Sequence, residues 1–267
     1  MKRIFLTGAS AGIGLATAKA LVAAGHEVWG TSRDSRRIPK MRGLYPVALD
    51  LTDIMSVRRG FREALGEAGD FDVVINNAGN GYFGTVESLT PEIWQDQFQV
   101  LLIAQVELCR LSLEAMHNHG SGLIINVSSL ASRLPVPFMS AYNAAKAAMA
   151  SFTMTLQLEL RAANIHVVDL QPADICTGFN ESVRKPGGSA ARSAAAVTRV
   201  WQVVERNIKL APKPEVVAEA ILRLIDHRNP PPRLTIGGTF QVLVAPLIFG
   251  FLPQRVRIWG LKNYYGI

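Results

Sequence analysis

Between residues 3 and 24 the chain runs from a short β-type stretch, Arg3-Ile4-Phe5-Leu6, through Thr7-Gly8-Ala9-Ser10-Ala11-Gly12-Ile13-Gly14, into a helix-compatible segment that ends before Gly25. A strand that turns on glycines straight into a helix constrains the fold more than any other feature here. Glycine permits tight turns and close backbone approach, and the opening helix offers unpaired amides at its positive dipole end. The unit suits a dinucleotide pyrophosphate, with Gly8, Ser10, Gly12, Ile13 and Gly14 as the candidate contacts. Taken alone, the same residues also serve as a tight turn between packed elements.

The pattern continues along the chain. Residues 27–31, 44–49, 71–75, 122–127, 166–170 and 233–236 read as further strands, with helix-compatible stretches between them that include 91–118 and 140–162. Strands alternating with helices imply parallel pairing through crossovers, so the expected class is α/β. A chain of 267 residues that is 49% hydrophobic and 18% charged can fill one core, and no polar tract reads as a linker; residues 1–267 are expected to form a single domain.

Two regions depart from the alternation. Residues 178–213 contain Pro186-Gly187-Gly188 and then an alanine-rich stretch that puts Val197, Val200, Trp201, Val204 and Ile208 on one helical face, which reads as a substrate-binding loop and lid. Residues 239–267 form an apolar tail, with Phe240, Val242, Leu243, Val244, Leu247, Ile248, Phe249, Phe251 and Leu252 interrupted by Pro246 and Gly250. This tail is short for a membrane span. It has three readings: an oligomer surface, a pocket cover, or a membrane-surface contact helped by Arg255 and Arg257, with ordinary packing placed first.

The net charge of +7 is spread over the chain rather than gathered in one tract, so no nucleic-acid partner is expected. The only cysteines, Cys109 and Cys176, are too far apart in sequence for a metal knuckle or disulfide framework and fit a reducing, cytoplasmic setting. Cys176 reads as a small packing residue. The opening Met1-Lys2-Arg3 leads into a short strand without the longer apolar region of a signal peptide. His117 and His119 have no evident third ligand, and no metal site is expected.

Tyr142 and Lys146 stand four apart in a helix-compatible segment and so share a face. A neighbouring ammonium stabilises a phenolate and would lower the tyrosine pKa, making Tyr142 a usable acid or base. After the second strand, Ser32 and Arg33 stand where an acidic residue would bond an adenosine ribose. A guanidinium there favours a ribose phosphate, hence NADP (NADPH) over NAD, with Arg36 or Arg37 as possible helpers; the alternative is a solvated arginine.

The glycine turn, Asn76-Asn77-Ala78-Gly79, Tyr142-Asn143-Ala144-Ala145-Lys146 and Pro172-Ala173-Asp174-Ile175-Cys176-Thr177 stand in the order and spacing of the short-chain dehydrogenase/reductase family, which the chain resembles from about residue 2 to 238. The resemblance implies a Rossmann-type, doubly wound, mostly parallel sheet with helices on both faces. It implies an oxidoreductase that transfers hydride between NADP(H) and a carbonyl or alcohol, and a homodimer or homotetramer. It assigns Ser129, Tyr142 and Lys146 to catalysis, Ser128 being the neighbouring alternative to Ser129. It places Asp50 and Leu51 near the adenine, Asn77, Ala78 and Gly79 along the adenosine side, and Pro172, Ile175 and Thr177 at the nicotinamide. Phe83, Leu130, Leu134, Val136, Phe138, Met139 and Phe179 surround the presumed reaction centre, and an apolar pocket for a hydrophobic carbonyl or alcohol follows if they converge.

Two positions depart from the family pattern. Leu101 stands where an asparagine usually organises a water path to the lysine, and Ala173 replaces a glycine, which is expected to tighten the nicotinamide pocket. The competing reading is a dinucleotide-binding regulatory or scaffold protein of the same fold that has lost turnover.

Overall fold

The short strands carry apolar residues on both faces, and alternate side chains leave the sheet on opposite sides. In β1 (Arg3–Leu6), Ile4 and Leu6 enter one core while Phe5 enters the other, and all three are fully buried. The computed structural model describes residues 1–160, 164–186, 191–244, 246 and 250–267. The other strands are β2 (Glu27–Ser32), β3 (Leu44–Ala48), β4 (Val73–Asn76), β5 (Ser121–Val127), β6 (Asn164–Pro172) and β7 (Arg233–Ile236). Together they form one seven-stranded sheet in the order β3-β2-β1-β4-β5-β6-β7, with every pair parallel. The order reverses between β1 and β4, and the crevice above such a reversal is where open α/β sheets bind ligands. The expected single-domain, doubly wound α/β architecture is the one observed.

On one face α1 (Gly12–Ala23) packs against α8 (Glu215–Asp226), with Leu21 meeting the side of the sheet that also buries Val217, Ile221 and Leu224. Small residues on α1, Gly14, Ala16 and Ala18 among them, let the helix lie close. The opposite face is covered by α2 (Ile54–Ala68), α4 (Ala104–His119) and α5 (Ser140–Glu159). Phe5, Phe61 and Phe71 meet there with ring centroids 5.0 to 5.7 Å apart.

Four sequence expectations are corrected. The first helix starts at Gly12, inside the glycine turn, because the turn's last residues already supply the helix's opening amides. The stretch 91–118 is two helices, α3 (Pro91–Phe98) and α4, joined by a π-turn over Gln99–Ile103. Within the tail, Phe240, Leu243 and Phe251 are exposed, so core packing does not account for them; Leu247, Ile248 and Phe249 lie outside the described residues, as do Gly187 and Gly188. Cys176 is exposed rather than packed, because its loop turns outward after Ile175 enters the core. The segment after β6 continues through a short helix α6 (Phe179–Ser182) to α7 (Ala191–Leu210), and the chain closes with a C-terminal helix, Gln254–Tyr265.

Truncating the fully buried Phe61 removes a ring from a triple contact under the sheet. Phe61→Ala is expected to lower the unfolding free energy by about 3–5 kcal/mol, read from the midpoint of urea denaturation at unchanged slope.

Candidate active site

The glycine turn leaves β1 with Gly8 at φ +76° and Gly12 at φ +53°, values that side chains beyond glycine rarely adopt. A Cβ on Gly14 would overlap the Gly8 carbonyl oxygen, which fixes glycine there on packing grounds. The turn is braced from β4. The Thr7 hydroxyl oxygen accepts the backbone N–H groups of Asn77 and Ala78, each at 2.9 Å, and the Asn77 amide returns a bond to the Thr7 carbonyl at 2.9 Å. Asn77 thus holds the turn itself.

Ala11, at the N-cap of α1, offers no side-chain bond to the first helical amides. Those donors point out of the turn, and the dipole adds positive potential, so the cradle fits a dinucleotide pyrophosphate. Across the crevice, Thr177 stands so near Gly12 that a Cβ on the glycine would lie 3.5 Å from the threonine Cβ. The glycine turn and the segment after β6 therefore form two walls of one cleft.

Residues expected at the adenosine end divide. Arg33 is exposed, with no side-chain partner among the described residues. Arg36, a suggested helper, is committed to Asp34 through two hydrogen bonds of 2.9 and 3.0 Å, and that contact holds the Asp34 carboxyl below its usual pKa. Asp34 also caps the following turn by accepting the Arg36 backbone N–H. Asp50 accepts the Thr52 backbone N–H and hydroxyl, both at 2.9 Å, and Leu51 is buried with its carbonyl accepting from Gln99.

Over β5 and α5 the structure brings Ser129, Tyr142 and Lys146 together. Ser128 donates to Asp169 in a very short hydrogen bond and is fully engaged in the core. Gln171 at 2.7 Å and Arg233 at 3.0 Å complete the shell of that buried carboxylate. Ser129, one residue on, instead accepts the Ala131 N–H, and its hydroxyl lies close enough to the Tyr142 phenol to pull that group's pKa down. Tyr142 is half-buried, with its ring packed 5.9 Å from that of Phe179. Lys146 is buried and donates to the Val127 carbonyl at 2.7 Å, with its Nζ 5.9 Å from the centre of the Tyr142 ring.

The charges differ from the sequence expectation. Burial raises the Tyr142 pKa above the ordinary phenol value, the Ser129 hydrogen bond pulls it down, and the Asp174 carboxylate raises it further. Burial likewise lowers Lys146 to about 8, opposed in part by Asp169. The lysine's own charge is disfavoured by the same dry surroundings, so it can favour the phenolate only where it is protonated, below about pH 8. Asp174 was not read as a site residue from the sequence. It is itself pushed upward by burial, with the Gln241 amide donating to it at 2.6 Å, and no sequence signal beyond its place in the motif would have marked it.

At Leu101 the side chain is fully buried and lies over Gly79, where a Cβ would come within 3.0 Å of it. The amide missing there has a neighbour one turn on. Gln105 is buried beside the π-turn, with its Nε2 donating to Ala78 O at 2.9 Å and to Val100 O at 3.3 Å, while its Oε1 has no partner among the described residues. Gln105 escaped the sequence reading because only the π-turn brings it to the Val100 carbonyl. The Ala173 methyl packs toward Gly237, where a Cβ would come within 2.5 Å, so its bulk is taken up beside β7 and the expected tightening of the pocket is corrected.

Phe83, Val136, Phe138, Met139 and Phe179 converge on Tyr142, joined by Val197, Val200, Trp201 and Val204 of α7 and by Tyr265 from the C-terminal helix. Leu130 and Leu134 stand outside that cluster. Phe138, at φ +64°, is a non-glycine residue with positive φ; its strained backbone puts its carbonyl onto the Gly84 N–H at 2.8 Å.

A crevice at the strand-order reversal, a glycine turn and a Ser-Tyr-Lys group define a nicotinamide-dependent oxidoreductase site. The family model described as short chain dehydrogenase matches residues 2–187, and the chain belongs to that family. It is 34% identical over 267 residues to the 3-ketodihydrosphingosine reductase of Bacteroides thetaiotaomicron, covering 99% of this chain and 98% of that one. Among solved structures it is similar to a short-chain dehydrogenase from Streptomyces avermitilis, with TM-score 0.80, 27% identity and coverage of 99% and 96%. It is also similar to an alcohol dehydrogenase from Thermococcus sibiricus complexed with 5-hydroxy-NADP, with TM-score 0.70, 26% identity and coverage of 90% and 97%.

Replacing Asp174 with asparagine removes a negative charge that disfavours the phenolate. In Asp174→Asn the loss of carbonyl reduction on the alkaline side is expected to begin at lower pH than in the parent, read from kcat/KM against pH.

Proposed function

We propose that the protein reduces a ketone carried on a long, hydrophobic molecule with NADPH, and in the reverse sense oxidises the corresponding alcohol. The observation that carries this reading is Tyr142, packed against an apolar cluster with Ser129 and Lys146 beside it, in a fold whose glycine turn and Thr177 face each other. The full-length similarity to a 3-ketodihydrosphingosine reductase supports a lipid-like ketone.

The α1 amides and Gly8, Ser10, Gly12, Ile13 and Gly14 hold the pyrophosphate, with Asn77, Ala78 and Gly79 along the adenosine. Arg33, free of other partners, pairs with the ribose phosphate; with Arg36 engaged by Asp34, the remaining helper is Arg37. Pro172, Ile175 and Thr177 orient the ring, which, when bound, supplies the hydride. Ser129 holds the substrate oxygen and Tyr142 gives it the proton. Lys146, anchored on the Val127 carbonyl, adds positive potential next to the phenol when protonated, below about pH 8, and so stabilises the phenolate left after the proton is given. The Gln99–Ile103 π-turn and the Gln105 amide supply polar backbone and side-chain groups near the place where Leu101 has none, which supports turnover.

Turnover is followed as loss of reduced-nicotinamide absorbance with 3-ketodihydrosphingosine, other hydrophobic ketones and small sugars. Hydrophobic ketones are expected to be reduced and sugars not; tight NADPH binding without turnover on any of them would instead favour the scaffold reading. Tyr142→Phe is expected to lose about 10²- to 10⁴-fold in kcat while still binding NADPH. Arg33→Asp is expected to move the NADPH-to-NADH ratio of kcat/KM by roughly tenfold to a hundredfold toward NADH, and an unchanged ratio would remove Arg33 from the site.

A further inference from the structure

From His227 to Ile267 the chain contains no aspartate or glutamate, yet it carries Arg228, Arg233, Arg255, Arg257 and Lys262. Arg233 is paired with Asp169 and Arg257 bonds the Leu252 carbonyl, which leaves Arg228, Arg255 and Lys262 exposed and without a side-chain partner among the described residues. The C-terminal helix is held in one orientation. Leu261 and Tyr265 enter the apolar cluster beside Tyr142, and the Asn207 amide of α7 donates to the Tyr264 hydroxyl at 2.8 Å.

With that face fixed inward, Arg255, Trp259 and Lys262, spaced i, i+4 and i+7, lie along an exposed side of the helix. Trp259 is 68% exposed and Phe251, just before the helix, 86%. Arg255 and Lys262 are exposed and have no side-chain partner among the described residues. Bare aromatic rings between free cations, with no acid in the segment itself, make up the composition of a helix that lies in a lipid headgroup layer. Among the described residues no helix is long and apolar enough to cross a membrane.

We propose that the Arg255-Trp259-Lys262 face of the C-terminal helix, with Phe251, docks the protein on an anionic lipid surface. A second copy fits this stripe less well, because a two-fold contact would set Arg255 and Lys262 against their own like charges. The inward face of the same helix walls the apolar cluster around Tyr142, so docking puts the pocket wall at the headgroup layer, where a lipid-borne ketone would arrive.

The test uses the full chain with vesicles of phosphatidylcholine, alone or mixed with phosphatidylglycerol, and needs no turnover. At low salt the protein is expected to co-sediment with the mixed vesicles, to do so less with phosphatidylcholine alone, and to be released by added salt. Tryptophan emission is expected to shift to the blue on binding. Trp259→Phe should bind as the parent does but lose that shift. Arg255→Gln with Lys262→Gln should weaken partition about thirtyfold, and Phe251→Ser should weaken it on both vesicle types, all with parental NADPH binding and melting temperature. The proposal is overturned if the parent stays in the supernatant with anionic vesicles at low salt, if the charge variant partitions as the parent does, or if Trp259 is already shielded in a stable dimer. Vesicle binding without ketone reduction would sink the functional reading and leave this one standing.

Discussion

One threonine hydroxyl joins the two halves of the molecule at the place where its function resides. Thr7 closes β1, and its oxygen receives two backbone amides from the turn that follows β4. These strands are neighbours at the point where the sheet reverses direction, so the hydrogen bonds fix the width of the crevice. With that width set, Gly14 can sit against the Gly8 carbonyl, α1 can open toward the cleft, and Gly12 can face Thr177. A shift of a few tenths of an ångström at Thr7 would be felt first at the Gly14–Gly8 contact, where even a Cβ has no room.

The second organising constraint is dryness. Burial works against the charged forms of Tyr142, Lys146 and Asp174 alike. Polar anchors offset it: Ser129 on the phenol, Val127 O on the ammonium and Gln241 on the carboxylate. Behind them, the buried Asp169 carboxylate gathers Ser128, Gln171 and Arg233 around itself toward the ends of β5 and β6. That network occupies Ser128 and leaves Ser129 to face the cleft, which separates two adjacent serines by partner rather than by type.

The apolar cluster around Tyr142 draws on Phe83 after β4, on the loop before α5, on Phe179 of α6, on α7 and on the C-terminal helix. Five segments thus share one small core of their own, lying outside the two that flank the sheet. The C-terminal helix turns one side to that cluster and the other to solvent, so a change in its surroundings acts directly on a wall of the pocket.

Much of this was legible from residue order. The strand-turn-helix opening, the βα alternation and the i,i+4 spacing of Tyr142 and Lys146 are local patterns set by backbone geometry, and they determined the α/β fold and the residues facing the cleft. Tertiary structure alone decided the rest. The π-turn at Gln99–Ile103 and the approach of Gln105 to the Ala78 carbonyl, in the turn after β4, are contacts to which helical periodicity is blind. That Arg36 belongs to Asp34 and leaves Arg33 free is a matter of side-chain geometry, and the upward shift of Tyr142 is a matter of burial plus a carboxylate 32 positions away in the chain. Electrostatic environment is a sum over neighbours in space, and the linear sequence does not say which neighbours those are.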